Sequence, residues 1–313
     1  MKEPVQDFKF RDLFTDKLWT LETSPLSKAR KRFVRFVKLV RLTWDAFQAN
    51  HIGFQCVALS YFVTLAIVPM LAFLFAISGG LGLSETVTEF LYRLLPSTIS
   101  ITEILVEKAN NILDVAQSGP VGIVSAIVLL WTVFWLMFQT ERVFNNVWGI
   151  RKIPRNLLAR FGFYIGLMFL LPFIIIIFSY GLVFATNATK LIGLDTSEWR
   201  AIGHILGWLV FYVITVFTLS AMFKFIPAAK VRYKYAFKAA IFDAAVFVVF
   251  QYLYLETQTF VGGLNAVYGV LAAIPLFLIW LNISWQIIMY GAELTYGYQN
   301  IDANTIPEWE SYK

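Results

Sequence analysis

The sequence predicts an all-α, polytopic membrane protein, and three observations lead to that class. Hydrophobic residues make up 58% of the chain and charged residues only 15%, whereas a soluble domain carries about 25% charged residues. The mean hydropathy is +0.66. Several stretches of about 20 residues carry almost no charge, and that is the length a helix needs to cross the hydrocarbon core. An ordinary soluble globular domain is therefore excluded.

Charge-poor windows predict six transmembrane helices, which place both termini on the same side of the membrane. The spans are expected at about 54–78, 119–140, 161–186, 201–223, 238–257 and 266–292. The predicted organisation is an N-terminal segment over 1–50, a transmembrane domain over 51–297 and a C-terminal tail over 298–313. The first thirty residues contain no apolar stretch of the kind that a cleavable signal peptide requires.

Lysine and arginine are concentrated on one predicted side of the membrane. They fill the N-terminal segment, the loop after the second span and the loop after the fourth span. Because cytoplasmic loops carry the excess of basic residues, both termini are predicted to be cytoplasmic. The basic pI of about 9.3 then reflects this topology and contact with anionic lipid, so no nucleic-acid partner is expected.

Two segments outside the predicted spans have amphipathic patterns. Residues 28–47 place basic side chains on one helical face and apolar side chains on the other, which predicts an interfacial helix on the inner leaflet. The residues of the apolar face are Phe33, Phe36, Val37, Val40, Trp44 and Phe47. The basic residues expected to contact anionic lipid are Lys31, Arg32, Arg35 and Lys38. A nucleic-acid or calmodulin-type partner is the alternative for this helix. The outer loop over 84–118 predicts two short amphipathic helices broken at Pro96, either as a cap over the bundle or as plain packing.

Polar residues within the spans fall on shared helical faces. On span six, Asn282, Gln286 and Glu293 lie within about 40° of one another. An ionised aspartate facing lipid costs roughly 2.5 to 3.5 kcal/mol, so Asp243 on span five should face the bundle interior or a wet cavity. The candidates for lining a pathway or coupling transport are Asp243, Gln251, Asn282, Gln286, Glu293, Tyr61, Tyr268 and Gln139.

A structural explanation for these polar residues stays open. Asparagine and glutamine commonly join membrane helices through hydrogen bonds worth about 0.6 kcal/mol each, without any role in transport. Asp243 is only about one turn from Lys238 and could pair with it or with Lys234. Glu293 lies at the inner end of span six, where snorkelling or pairing with Arg142 would explain it.

Prolines within the spans predict interrupted helices. Pro69, Pro172 and Pro275 each remove a backbone hydrogen bond, and such breaks are tolerated where neighbours or a cavity satisfy the freed carbonyl. The sequence around Tyr61 and Pro69 in span one resembles that around Tyr268 and Pro275 in span six. Because these spans run in opposite directions, the match suggests an inverted repeat of the kind that transporters contain.

Four stretches of the sequence carry a resemblance to a known family. They are ALSYFVTLAIVPMLAFLFA, FNNVWGIRK, FKFIPAAKVRYKYAFKAA and YGVLAAIPLFLIWLNISWQIIMYGAEL. Together they resemble the YihY/BrkB family of bacterial inner-membrane proteins over roughly residues 30–300. The resemblance implies six helices, cytoplasmic termini and a transporter without an agreed substrate. Ala239 and Ala240 depart from the family's usual Gly-Ala pair, which puts close helix approach there in doubt.

The residues do not support an enzyme. The same family has carried an old ribonuclease label, but a metal-dependent nuclease needs clustered ligands on a water-accessible fold. The two histidines, His51 and His204, are predicted on opposite sides of the membrane. The sequence has no HExxH, GxSxG or P-loop motif. We therefore expect no catalytic residues, no cofactor and no metal.

The sequence favours a secondary transporter or exporter of an unidentified small solute or lipid, with Asp243 as the best coupling candidate. The alternative function is a non-transporting membrane scaffold or a lipid-handling protein. The expected partners are membrane lipids, especially anionic inner-leaflet lipids, and an unknown solute. A homo-oligomer stays open, because Gly122, Ser125 and Ala126 could form a helix interface within or between subunits.

Overall fold

Every regular element in the described part of the chain is a helix. The computed structural model describes residues 28–80, 119–150, 160–166, 197–262 and 266–301, with short pieces between 85 and 111 and at 156 and 158. These residues contain no strand, which confirms the all-helical class.

Long apolar helices make up most of the described residues. They are α1 (Lys28–Ala49), α2 (Ile52–Gly80), α3 (Gly119–Val147), α4 (Ser197–Phe225), α5 (Tyr233–Gly262) and α6 (Ala266–Asn300). A short helical segment over 160–166 follows α3. Pro69 lies inside α2 and Pro275 inside α6, and each helix continues past its proline.

Four of the described helices are long and apolar enough to cross a membrane. The candidate spans are Ile52–Ala72, Ile205–Phe225, Tyr233–Val261 and Ile274–Asn300. They coincide with the predicted spans one, four, five and six. The predicted second span falls on α3, which is helical but is not one of these four.

Some predictions fall on residues that the structure does not describe. Most of the predicted third span, including Pro172, and most of the predicted outer loop, including Pro96, lie outside the described residues. The count of six spans and the amphipathic outer loop therefore stay predictions.

Helix α6 is the central element of the packing, since it contacts each of the other five long helices. The main core lies around its C-terminal half, where Met289 and Ala292 pack among side chains of α2, α3, α4 and α5. Ala239 and Ala240 on α5 are completely buried in this core. Because a methyl group is small, alanine at these two positions still allows tight burial, although the family usually has a Gly-Ala pair there.

The outer surfaces of the candidate spans are apolar. Large hydrophobic side chains with at least half of their surface exposed include Val57, Leu65, Leu209, Phe217, Val249, Leu253, Phe260, Ile274 and Ile279. Monomeric soluble proteins rarely expose apolar surface on this scale. The surface therefore agrees with helices that are surrounded by lipid.

Helix α1 has two apolar faces rather than the single one expected from the sequence. One face is buried, and Phe47 on it stacks on Tyr290 of α6 with 4.0 Å between ring centroids. The other face, here called the α1 stripe, comprises the exposed residues Phe33, Phe36, Val40 and Trp44. Phe47 was expected to share the lipid-facing side, but it belongs to the protein core.

The basic residues of α1 occupy different environments. Arg32 and Arg35 are exposed, whereas Lys38 is partly buried, and this burial lowers the pKa of its ammonium group from the ordinary value. The side chain of Lys31 lies outside the described residues. Arg41 pairs with Asp45 one turn later at 3.5 Å.

Candidate functional site: a polar cavity between α2 and α3

The break between α1 and α2 creates the first part of the site. His51 has a φ of 51°, the left-handed conformation that commonly ends a helix. Because of the break, the backbone carbonyl of Asn50 lies outside the regular backbone hydrogen bonding of both helices. Side chains from two helices satisfy it: the Asn146 amide of α3 donates to it at 3.1 Å, and the Gln55 amide of α2 at 3.0 Å.

The side chain of Asn50 reaches a buried carboxyl group. Its Nδ2 donates to Oε1 of Glu293 on α6 at 2.9 Å. Glu293 is only 1% exposed, and its Oε2 has no hydrogen-bond partner in the described part of the chain. Pairing with Arg142 was the simple explanation considered for Glu293, but the contact is with an uncharged amide instead.

A cavity of about 890 Å³ opens beside this contact. Its lining comes mainly from the N-terminal half of α2 and the C-terminal half of α3. The lining residues are Asn50, Gln55, Ala58, Leu59, Phe62, Phe138, Gln139, Arg142, Val143, Asn145, Asn146, Gly149, Ile150 and Arg160. The predicted topology puts these helix ends on the cytoplasmic side. The cavity is large enough for a small ligand, whose sites commonly span 300–1,000 Å³.

A buried ion pair supports the α3 side of the cavity. Nε of Arg160 lies 2.8 Å from Oε2 of Glu141, and the Tyr164 hydroxyl donates to the same carboxylate oxygen. Glu141 is completely buried. The Arg160 guanidinium also lies over the Phe138 ring, 4.5 Å from its centroid. The pair fixes Arg160 at the cavity wall.

Asn145 joins the cavity to the connection between α4 and α5. Its Oδ1 accepts a hydrogen bond from the backbone N–H of Ala228 at 2.7 Å. Gly149, four residues later, has a φ of 64°, so the chain turns where α3 ends. Both residues belong to the FNNVWGIRK stretch, whose two asparagines therefore have structural partners and also line the cavity.

Asp243 lies outside the cavity, packed against α6. It is 4% exposed, and no ion pair joins it to Lys238 or Lys234 among the described residues. Lys238 instead lies over the Tyr298 ring, 4.4 Å from its centroid. The expected interior position of Asp243 agrees with its burial, but the suggested lysine pairing is not formed.

Gly291 gives Asp243 the space that it occupies. A Cβ atom placed on Gly291 would lie 2.5 Å from Oδ2 of Asp243 and 2.4 Å from the Phe223 ring. Such distances are far below van der Waals contact, so α4, α5 and α6 meet here only because the residue has no side chain. Gly291 opens the GAEL end of the fourth family stretch.

We expect Gly291→Ala to lower the free energy of unfolding by about 1–3 kcal/mol, because overpacking displaces Phe223 or Asp243. Reversible unfolding of the protein in detergent measures the change. Gly166→Ala is the matched control, since nothing lies within 4 Å of a Cβ there. Asp243→Ala in the Gly291→Ala background should recover part of the loss. Equal stability of Gly291→Ala and Gly166→Ala would contradict this account of the packing.

The other predicted polar residues lie in three kinds of surroundings. Gln251 accepts a hydrogen bond from the Trp280 indole at 2.9 Å, and Gln286 donates to Asn282 at 2.7 Å, so these amides bond to nearby helices or to their own helix. Gln139 lines the cavity. Tyr61 is 60% exposed and does not line it.

The side chain of Tyr268, the remaining pathway candidate, lies outside the described residues. Within the described ranges, no three His, Cys, Asp or Glu side chains lie close enough together to hold a metal ion.

The apolar spans and the polar cavity at their ends define a multi-pass membrane protein. The family model described as Virulence factor BrkB matches residues 43–311, and the chain belongs to that family. This agrees with the resemblance to YihY/BrkB proteins found in the sequence.

Three curated relatives are named as UPF0761 membrane proteins. A UPF0761 membrane protein of Pseudomonas aeruginosa (strain LESB58) is 25% identical over 270 residues, covering 85% of this chain and 64% of the relative. One from Psychrobacter sp. (strain PRwf-1) is 28% identical, covering 77% and 45%. One from Actinobacillus pleuropneumoniae is 27% identical, covering 83% and 92%.

The chain spans less than two thirds of the length of the Pseudomonas relatives that it matches. No solved structure matches the chain.

Proposed function

We propose that this chain is a secondary transporter or exporter of a small solute or lipid in the bacterial inner membrane. The observation that carries the proposal is the polar cavity of about 890 Å³, connected through Asn50 to the buried carboxyl of Glu293. A transporter needs a site within its helices that a solute can enter from one side. A cavity at the end of the spans provides such an entry.

Two buried carboxyl groups could couple transport to an ion. An ionisable residue within a membrane span is a candidate functional residue, because its burial is costly. Glu293 contacts the cavity-lining Asn50, whereas Asp243 does not line the cavity. We therefore place Glu293 first and Asp243 second, which reverses the order expected from the sequence.

The proposal includes the predicted topology and partners. Six spans place both termini in the cytoplasm, and the basic residues of α1 then face the anionic inner leaflet. The chain needs no cofactor and performs no catalysis in this scheme. Its partners are membrane lipids and the transported compound.

A non-transporting scaffold or lipid-handling protein is the second candidate function. The observation that favours it is the α1 stripe, which exposes Phe33, Phe36, Val40 and Trp44 beside the basic Arg32 and Arg35. An amphipathic helix of this kind binds the membrane interface. A scaffold would use that surface and would leave the cavity without a transport role.

Untargeted profiling of solutes and lipids inside and outside cells distinguishes the two functions. We expect a deletion strain to accumulate at least one compound on one side of the membrane, and the intact gene to restore the normal distribution. A catalytic defect would remove or create compounds instead of redistributing them. Unchanged profiles in the deletion strain would favour the scaffold.

A further inference from the structure

The described lining of the cavity carries basic side chains and no acidic ones. Its two arginines are Arg142 and Arg160, and because Arg160 already pairs with the buried Glu141, the excess positive charge of this lining comes from Arg142. The remaining polar lining consists of asparagine and glutamine amides. A cavity with this lining favours a ligand that carries negative charge.

Two buried donors of the lining residues have no hydrogen-bond partner within the part of the chain that the structure describes. They are Nη2 of Arg160 and Nδ2 of Asn145, both in residues that are at least nine-tenths buried. Each residue uses its other polar atoms: Arg160 Nε binds Glu141, and Asn145 Oδ1 binds the Ala228 N–H. Buried donors are normally satisfied, so these two lack an acceptor of the kind that a ligand in the adjoining cavity would supply.

Arg142 supplies the other guanidinium of the described lining. It is exposed and makes no hydrogen bond or ion pair with the residues that the structure describes. The planar fork of arginine matches the paired oxygens of a phosphate or a carboxylate. Arg160 is held in place by its ion pair, whereas Arg142 is able to adjust to the ligand.

We propose that the cavity binds an anionic oxygen group, a phosphate or a carboxylate, through Arg142, Arg160 and the Asn145 amide. The anion belongs either to a soluble compound or to a lipid headgroup, since both present the same oxygens. This proposal adds a class of ligand to the proposed transport function. It rests on that function only for the statement that the ligand is the transported compound. Binding itself is measurable without transport.

The test uses the full-length protein in nanodiscs made only of phosphatidylcholine. Inorganic phosphate and succinate are titrated against sodium chloride of equal ionic strength, and thermal stability and tryptophan fluorescence are followed. We expect saturable stabilisation by at least one anion. Arg142→Gln should weaken the apparent affinity about tenfold, consistent with loss of a charged hydrogen bond, and Arg142→Lys should weaken it less. Arg232→Gln, which removes an exposed arginine outside the cavity, should leave the affinity unchanged.

A second arm identifies the source of the anion. In this arm, the nanodiscs contain phosphatidylglycerol and no soluble anion is added. If stabilisation depends on Arg142 and occurs only in these nanodiscs, the site is assigned to a lipid headgroup. The proposal is overturned if neither anion nor phosphatidylglycerol has an effect beyond that of sodium chloride. It is also overturned if Arg142→Gln and Arg232→Gln change the response equally, because this indicates general charge attraction.

The anion proposal and the transport proposal fail in different ways. Anion binding in nanodiscs together with unchanged cellular profiles supports the site and removes its transport role. Altered profiles without any anion effect keep the transport function and overturn the anion site.

Discussion

Under the proposed transport function, we expect Glu293→Gln to remove the ion coupling while leaving the helix packing in place. Glutamine has the same size, and its Oε1 can still accept the hydrogen bond from Asn50, but it cannot change charge. Coupling between two binding sites is typically worth about 5- to 150-fold. We therefore expect the pH-driven accumulation ratio of the transported compound to fall about tenfold, because the carboxyl that would exchange a proton is absent.

The measurement is flux of the compound identified by profiling, in proteoliposomes with and without a pH gradient. Glu256→Gln is the matched control, since Glu256 is an exposed glutamate on the candidate span α5. Asp243→Asn tests the second coupling candidate in the same assay. Retention of the full pH response by Glu293→Gln, with loss in Asp243→Asn, would reverse the assignment. Retention by both would exclude either carboxyl as the coupling group.

Arg160→Leu will lower the free energy of unfolding by about 3–5 kcal/mol, because it leaves the buried carboxylate of Glu141 without its cation. The Tyr164 hydroxyl still donates to that carboxylate but carries no positive charge. The loss of the guanidinium over Phe138 adds to the effect. Reversible unfolding in detergent measures the change.

The double variant Glu141→Gln with Arg160→Leu should be more stable than Arg160→Leu alone, because no charge then remains buried. Arg142→Gln, which changes an exposed neighbouring arginine, should alter stability by less than about 0.5 kcal/mol. A loss in Arg160→Leu no larger than that in Arg142→Gln would show that the ion pair contributes little.

The length of the uncharged stretches and the hydrophobic composition are enough to predict the membrane class and the approximate positions of α2, α4, α5 and α6. The burial of Asp243 also followed from the cost of a charged group in lipid. These properties depend on the local sequence and on the solvent, so one chain is sufficient to predict them.

The cavity could not be predicted because its residues come together only in the fold. Glu141 and Arg160 served as the charged ends of two predicted spans, and nothing in the sequence indicated that they form a pair across 19 positions. Asn50 is only the last residue of the predicted N-terminal segment. The one useful signal is the FNNVWGIRK stretch, where two adjacent asparagines lie at the end of an apolar helix, but in the sequence alone this stretch indicates only the family.

The helix break at Asn50 and His51 fixes the length of the chain between α1 and α2. The backbone carbonyl of Asn50 is bound by α2 and α3, while its side chain is bound by α6. Connections between helices usually accept added or deleted residues, since few contacts depend on them. Here a single inserted residue would move Asn50 away from its partners on α2, α3 and α6 at once. We therefore expect that this short connection does not tolerate a change in length.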